Sequence, residues 1–186
     1  MSLYLLLILL ALITESFSTA WYSGAIHGKL VEKMPARLPL ALALSKGIIL
    51  PLGMFLGRVC SSFLPSFYIT MAYSLMFIIG LKMITENLRF HPEERIVLID
   101  NNRTLLILSL AGSFNTFFIG ISLGLISTKI ALASVITFMA TLILAYAAMN
   151  FGKKFGLRPF IRITGMVMGA VIVLIALTYF IKYFIA

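Results

Sequence analysis

Long runs of apolar residues alternate with short polar segments along almost the whole chain. Each run approaches the ~20 residues that a helix needs to cross the hydrocarbon of a bilayer. Lipid offers no partners to unpaired backbone groups, so these runs should be helical. The pattern predicts an all-α integral membrane protein with six transmembrane helices, at Leu3–Tyr22, Leu38–Leu56, Phe67–Thr85, Leu105–Leu125, Ile130–Met149 and Ile163–Ile181.

Polar residues interrupt two of the runs. Glu15 stands near the middle of the first run, and Asn115 interrupts the fourth run about a hundred residues later. A carboxylate in hydrocarbon costs a few kcal/mol on insertion scales, so such a residue is a functional candidate by default. Hydroxyl groups accompany both interruptions and are accessory candidates: Thr14, Ser16, Ser18 and Thr116.

The two interruptions suggest a repeat. At a spacing of one hundred residues, Glu15 matches Asn115, Phe17 matches Phe117 and Gly24 matches Gly124. A unit with three spans enters the membrane the second time with inverted topology, and the two copies meet about a two-fold axis in the membrane plane. We therefore expect two inverted three-helix repeats, 1–90 and 104–186, joined by a cytoplasmic loop at 91–103 within one membrane domain.

Composition and charge agree with a membrane protein. Apolar residues make up 61% of the chain, the mean hydropathy is +1.08 and the net charge is +9. A soluble protein with this charge would suggest nucleic-acid binding, but here most Lys and Arg lie between the apolar runs, so nucleic acid is not expected as a partner. A single Cys60 excludes an intrachain disulfide. The first run has no basic leader and is expected to remain as a mature helix.

The loop charges predict the orientation. The positive-inside rule places loops rich in Lys and Arg in the cytoplasm. We therefore expect a multi-pass protein of the bacterial inner membrane with both termini on the non-cytoplasmic side. The first, third and fifth loops carry ten basic residues, and the other side carries three: Lys29, Lys33, Arg37, Arg89, Arg95, Arg103, Lys153, Lys154, Arg158 and Arg162 against Arg58, Lys129 and Lys182.

Each candidate has a structural alternative. Glu15 could be a protonated carboxyl that hydrogen-bonds a neighbouring helix, and Asn115 could join two helices instead of binding a cation. Glu86, at the cytoplasmic end of the third span, follows Lys82 by one helical turn, so the two can form an interfacial ion pair. Lys46 lies inside the second span, where a fixed positive charge opposes cation binding. It could pair with Glu15 as a structural bridge, which we favour, or take the place of the cation in an ion-free state.

The chemistry of the candidate ligands limits which ions the site could bind. Every intramembrane candidate offers oxygen, whereas His27 and His91 lie in loops. Oxygen ligands suit Mg²⁺, Ca²⁺ or Mn²⁺, and zinc or copper sites usually recruit imidazole or thiolate. No organic cofactor is expected, since no phosphate loop or nucleotide motif is present. No nucleophile stands beside a base, so an enzyme is not expected either.

Three segments resemble the MntP-type manganese efflux pumps, a family within the LysE-like exporter superfamily. The segments are Thr14-Glu-Ser-Phe-Ser18, Gly80-Leu-Lys-Met-Ile-Thr-Glu86 and Ser113-Phe-Asn-Thr-Phe-Phe-Ile-Gly120. The resemblance covers nearly the whole chain and implies two inverted three-helix repeats. It also implies Mn²⁺ as the transported substrate, with metal-binding residues at the positions of Glu15, Glu86 and Asn115.

This sequence departs from the family pattern at two of these positions and also near Lys46. The resemblance implies an Asp where Glu15 stands, a second Asp where Asn115 stands, and a carboxylate near Lys46. Glu keeps the charge of Asp, but Asn removes one negative charge, and lysine adds a positive one. A dication beside a single central carboxylate and a lysine is poorly neutralised in a medium of low dielectric constant.

The leading hypothesis is a secondary transporter that exports a divalent cation, Mn²⁺ by resemblance, through alternating access between the repeats. Two rivals stay open. The chain could be a degenerate family member that serves as a structural subunit, as a homo-oligomer or with a membrane partner protein. It could also export another small cationic or zwitterionic solute.

Overall fold

A computed structural model describes residues 3–30, 37–63, 67–89, 102–126, 129–158 and 160–185. Within these ranges the chain forms seven α-helices and no strand. The helices are α1 (Leu3–Leu30), α2 (Leu38–Phe63), α3 (Tyr68–Arg89), α4 (Asn102–Ala111), α5 (Phe114–Leu125), α6 (Ile130–Phe155) and α7 (Phe160–Ile185). Residues 91–101 of the expected connecting loop lie outside the described part, as do Lys33 and Arg95 of the loop charges.

The six predicted spans are confirmed as helices long and apolar enough to cross a bilayer. Five spans are single helices, and α4 and α5 together form the fourth, at Leu105–Leu125. Three helices continue well past the predicted ends, α1 to Leu30, α2 to Phe63 and α6 to Phe155. The chain is therefore a multi-pass membrane protein.

The fourth span breaks at Gly112 and Ser113, which differs from the single helix that its apolar pattern predicts. The Ser113 amide donates to the Leu110 carbonyl at 3.0 Å, a tighter turn than the α-helix, and α5 then starts at Phe114. The Ser113 hydroxyl donates to the Ser109 carbonyl at 2.8 Å and lies 3.0 Å from the Ser45 hydroxyl of α2. These contacts satisfy polar groups that a break would otherwise leave unpaired in the membrane.

The helices of one half pack mainly on helices of the other half. α1 packs on α6 and α7, α2 packs on α5 and α6, and α3 packs on α7 and α5, whereas α1 and α2 barely touch. Small residues allow the close approach, as in other membrane bundles. A methyl group on Gly24 of α1 would collide with the Met149 carbonyl of α6, and one on Gly124 of α5 would collide with the Met54 carbonyl of α2.

A buried apolar core lies between the helices, and the large exposed side chains form the surface that suits lipid. On α2, buried residues recur at helical spacing and include Leu42, Lys46, Leu50 and Gly53. Leu44, Ile48 and Leu52 face outward from the same helix. Lys46 therefore stands on the inward face of α2, among residues that contact other helices.

Candidate functional site

Glu15 faces the interior of the bundle. Its side chain is 16% exposed, and its Oε1 accepts a hydrogen bond of 3.0 Å from the Asn115 amide nitrogen. The two residues that interrupt the apolar runs are thus in direct contact across α1 and α5. The carboxylate does not point into lipid.

Asn115 connects Glu15 to a second group. It lies in the first turn of α5 and is buried, and its Oδ1 accepts a hydrogen bond of 2.6 Å from the Lys82 ammonium of α3. Its amide group therefore donates to an anion on one side and accepts from a cation on the other. The break at Gly112 and Ser113 places this residue at a helix start, where the partial positive charge of the helix dipole favours the Glu15 anion.

Lys82 and Glu86 form the ion pair that their spacing predicts. The Lys82 nitrogen lies 3.0 Å from Glu86 Oε1, and the two side chains are 39% and 31% exposed. Lys82 therefore lies between two oxygens that the sequence nominates as cation ligands, Asn115 Oδ1 and Glu86 Oε1.

Lys46 pairs with Glu15 from the opposite side, as the sequence interpretation favours. Its nitrogen lies 3.5 Å from Glu15 Oε2 and donates to the Leu12 carbonyl of α1. The residue is fully buried. Removing one partner of such a pair would leave an uncompensated charge inside the bundle.

The polar groups form one continuous series across four helices: Lys46, Glu15, Asn115, Lys82 and Glu86. Two ammonium groups and two carboxylates alternate around one neutral amide, so the formal charges cancel. Within the described residues, no group of three or more His, Cys, Asp or Glu side chains could hold a metal ion. Two carboxylates and an amide oxygen are the strongest cation ligands that this site offers.

A narrow cavity of about 10 Å³ lies beside this series. That is close to the room that one water molecule needs, and it suits a small ion as well. The cavity brings together all three predicted metal ligands, from α1, α3 and α5. Its lining consists of Glu15, Ser18, Met83, Glu86, Asn87, Asn115 and Gly165.

The sequence profile of the Mntp family, described as "Putative manganese efflux pump", matches residues 29–181. The chain belongs to the Mntp family. A protein of Wolinella succinogenes named "Putative manganese efflux pump MntP 1" is 35% identical over 152 residues, 82% of each chain. A Photorhabdus laumondii protein named "Putative manganese efflux pump MntP" is 28% identical over 161 residues, 85% of this chain and 83% of its own. No solved structure matches.

The accessory candidates of this Mntp family member have different surroundings. Ser18 lines the cavity and donates to the Thr14 carbonyl at 3.0 Å, whereas the Thr14 hydroxyl donates to the Leu10 carbonyl of its own helix at 2.8 Å. The hydroxyls of Ser16 and Thr116 are buried, and the described residues offer them no hydrogen-bond partner. Only Ser18 among these four lines the cavity.

Three features of the site have no counterpart in the sequence interpretation. These are the cavity residues Asn87 and Gly165 and the contact of Lys82 with Asn115. A methyl group on Gly165 of α7 would lie 2.6 Å from Asn87 Oδ1, so glycine keeps this side of the cavity open. Asn87 directly follows Glu86, which is the only indication in the sequence. The Lys82 contact links helices whose relative placement the sequence does not specify.

Proposed function

We propose that this protein is a secondary transporter that exports a divalent metal cation, and that the cation is Mn²⁺. The observation that carries the proposal is the shared cavity of Glu15, Asn115 and Glu86, which come from three different spans. Oxygen ligands of this kind suit Mn²⁺. Membership in a family whose description names manganese efflux supports the same ion. Ser18 adds a hydroxyl to the cavity, and Ser16 and Thr116 are candidates to join it when the helices move.

Helix packing supports an origin from two inverted repeats. Gly24 of α1 lies against Met149 of α6, and Gly124 of α5 lies against Met54 of α2. Exchanging α1 with α5 and α6 with α2 therefore converts the first contact into the second. The same exchange relates a second pair of contacts, Gly152 with Trp21 and Gly57 with Ile121. Glu15 and Asn115 are also equivalent under this exchange. A two-fold axis in the membrane plane therefore passes between the two residues that we assign to the cation.

The third helices extend the equivalence and support one-sided access. Gly80 of α3 lies against Gly169 and Val173 of α7. Gly169 lies in turn against Gly80 and Ile84 of α3, so the same exchange relates α3 to α7. In this register Glu86 and Asn87 of the polar cavity correspond to Ile175 and Ala176. Both of these residues are buried in the apolar core. The side of Glu15 and Asn115 toward Glu86 is polar, and the opposite side is closed by apolar packing. Such one-sided access is expected of an alternating-access transporter.

The open side faces the basic loops. Arg162, at the start of α7, donates from Nε to the Asn87 carbonyl at 2.6 Å, so the cavity lies at the end of the bundle that also holds Lys153 and Lys154. We infer from the positive-inside rule that this end is cytoplasmic. Both termini then lie on the non-cytoplasmic side of the inner membrane, and the cavity accepts its cation from the cytoplasm.

Growth of a manganese-sensitive strain without its own exporter tests the proposal. The wild-type chain should restore growth in excess Mn²⁺ and lower the cellular manganese content, and Glu15→Ala should abolish both effects. Ser134→Ala is a matched control, since the Ser134 hydroxyl donates only to the Ile130 carbonyl of its own helix. Equal growth with wild type and Glu15→Ala, at equal expression, would contradict the proposal.

A second candidate function rests on Lys46. Its pairing with Glu15 neutralises the central acid from inside the chain, which would suit a structural membrane subunit that has lost transport. Such a subunit requires a stable partner, either a second copy or another membrane protein. Purification of a stoichiometric complex together with failure to restore growth would support it.

A third candidate is export of a zwitterionic solute. The alternation of Lys82 and Glu86 beside Glu15 offers groups of both signs, which could contact the ammonium and carboxylate of an amino acid. Efflux of labelled amino acids that does not respond to Mn²⁺ would favour this function over metal export.

A further inference from the structure

The Lys82 ammonium lies beside the cavity, at oxygens that we assign to the bound cation. It lies 2.6 Å from Asn115 Oδ1 and 3.0 Å from Glu86 Oε1, so it already contacts two of the three oxygens assigned to the metal. Both contacts involve the charged ammonium, and hydrogen bonds with an ionised group are roughly twice as strong as neutral ones. An ammonium and a metal ion compete for these oxygens, because two positive charges repel each other at such short range.

The two lysines of the site differ in their freedom to move. Lys46 is fully buried and is held by both Glu15 and the Leu12 carbonyl. The Lys82 side chain is 39% exposed. Its ammonium is carried on a flexible chain of four carbon atoms. Of the two lysines, only Lys82 can therefore move out of the site without placing its own charge in the apolar core.

The Phe114 ring lies close to the Lys82 ammonium. In its present position the Lys82 nitrogen lies 5.6 Å from the centre of this ring, within the range of a cation–π interaction. Phe114 is 56% exposed at the start of α5, next to Asn115. A rotation of the lysine stem toward the outer face of this ring would free Asn115 Oδ1 and Glu86 Oε1 while keeping the charge partly compensated.

We propose that Lys82 is a tethered competitor of the transported cation, which binds only after the ammonium has moved away from Asn115 and Glu86. This inference rests on the proposed function, since it assigns the cation to the same oxygens. Lys82 then sets the affinity of the site and pairs with Asn115 and Glu86 when no cation is bound. The alternation of ammonium and metal keeps a positive charge beside Glu86, whereas Glu15 keeps its own counter-charge from Lys46.

Mn²⁺ binding to purified protein in detergent tests the inference, with affinities measured by isothermal titration calorimetry. Lys82→Met should bind Mn²⁺ roughly tenfold more tightly than wild type, since removal of the ammonium frees ligands held by charge-assisted hydrogen bonds. Lys82→Arg keeps the charge at the site and should bind no more tightly than wild type. Adding Glu15→Gln to Lys82→Met should reverse the gain, which places the measured binding at this site.

Lys154→Met is the matched control. Lys154 also lies 5.6 Å from an aromatic ring, that of Phe155, but outside the site, and its replacement should leave the affinity unchanged. Unchanged or weaker binding by a monodisperse Lys82→Met protein, with wild type binding Mn²⁺, would overturn the inference alone. Binding by Lys82→Met but not by wild type would support the inference and count against Mn²⁺ as cargo. Absence of binding in every variant would overturn both.

Discussion

Glu15 and Asn115 stand one hundred positions apart in the chain and share a hydrogen bond of 3.0 Å. In the proposed inverted repeats they occupy equivalent places, but only Glu15 carries a charge. The asymmetry lets the amide donate directly to the carboxylate, whereas two carboxylates at this distance would repel each other. The site therefore combines a symmetric framework with an asymmetric distribution of charge.

Restoring a second central acid should strengthen cation binding. We expect Asn115→Asp to raise the affinity for Mn²⁺ by roughly tenfold, because affinity for hard cations rises with the number of charged ligands. Calorimetric titration of purified protein measures the change. Asn115→Leu keeps the branched shape and the number of side-chain heavy atoms without any ligand atom, and it should abolish binding. Tighter binding by the leucine variant would exclude Asn115 from the metal site.

Loss of the Glu15 charge should destabilise the protein through Lys46. Glu15→Gln leaves a buried ammonium without its counter-charge, so we expect the free energy of unfolding to fall by about 3–5 kcal/mol. Lys46→Met should recover most of the loss when combined with Glu15→Gln. Glu86→Gln changes only a half-exposed pair and should cost less than about 1 kcal/mol. Denaturant unfolding in detergent can measure wild type, the single variants Glu15→Gln, Lys46→Met and Glu86→Gln, and the double variant. Additive effects of the Glu15 and Lys46 changes would argue against a coupled pair.

Close helix approach should make Gly124 intolerant of substitution. A methyl group there would overlap the Met54 carbonyl of α2, so Gly124→Ala should lower the thermal unfolding temperature by several degrees. Gly112 is a suitable control, since the nearest atom to an added methyl group lies 3.4 Å away. Gly112→Ala should unfold within about 2 °C of wild type. Equal effects of the two changes would contradict the close contact between α2 and α5.

Narrowing the cavity should impair transport more than stability. A side chain at position 165 would meet Asn87, which lines the cavity and has a short, movable side chain. We expect Gly165→Val to reduce growth rescue in excess Mn²⁺ while the protein remains folded and monodisperse. Replacing Asn87 by Ala in the same protein makes room for the valine and should restore part of the activity. Full activity of Gly165→Val would exclude this path.

The orientation can be tested with single cysteines in a Cys60→Ser background. Arg58 and Lys153 are both exposed, near opposite ends of the bundle. We expect a membrane-impermeant maleimide to label Arg58→Cys in intact cells and Lys153→Cys only after lysis. The reverse order of labelling would invert the predicted topology and assign the polar cavity to the external face.

The sequence predicts the spans well because the length and apolarity of a membrane helix are nearly local properties. The contact between Glu15 and Asn115 also follows from the sequence, since polar residues in membrane spans usually face the bundle interior and pair with one another. The break before Asn115 is less evident: Gly112 and Ser113 occur in an apolar run without proline. Its stability depends on Ser45 of another helix, which is a tertiary contact.

Side-chain partners across the bundle are harder to predict. The Lys82–Glu86 pair follows from their spacing on one helix, but the bond from Lys82 to Asn115 depends on how α3 meets α5. The cavity likewise requires Gly165 of α7 opposite Asn87 of α3. Such contacts join residues far apart in the chain, and no local pattern encodes them.

The near absence of contacts among α1, α2 and α3 bears on how the protein is made. When these three helices have left the ribosome, the surfaces that they will bury in the finished bundle still lack α5, α6 and α7. The Lys46–Glu15 pair joins α1 to α2, so its two charges can pair before the second half is made. The main contacts of α2 must wait for α5 and α6, those of α1 for α6, and those of α3 for the last helix, α7.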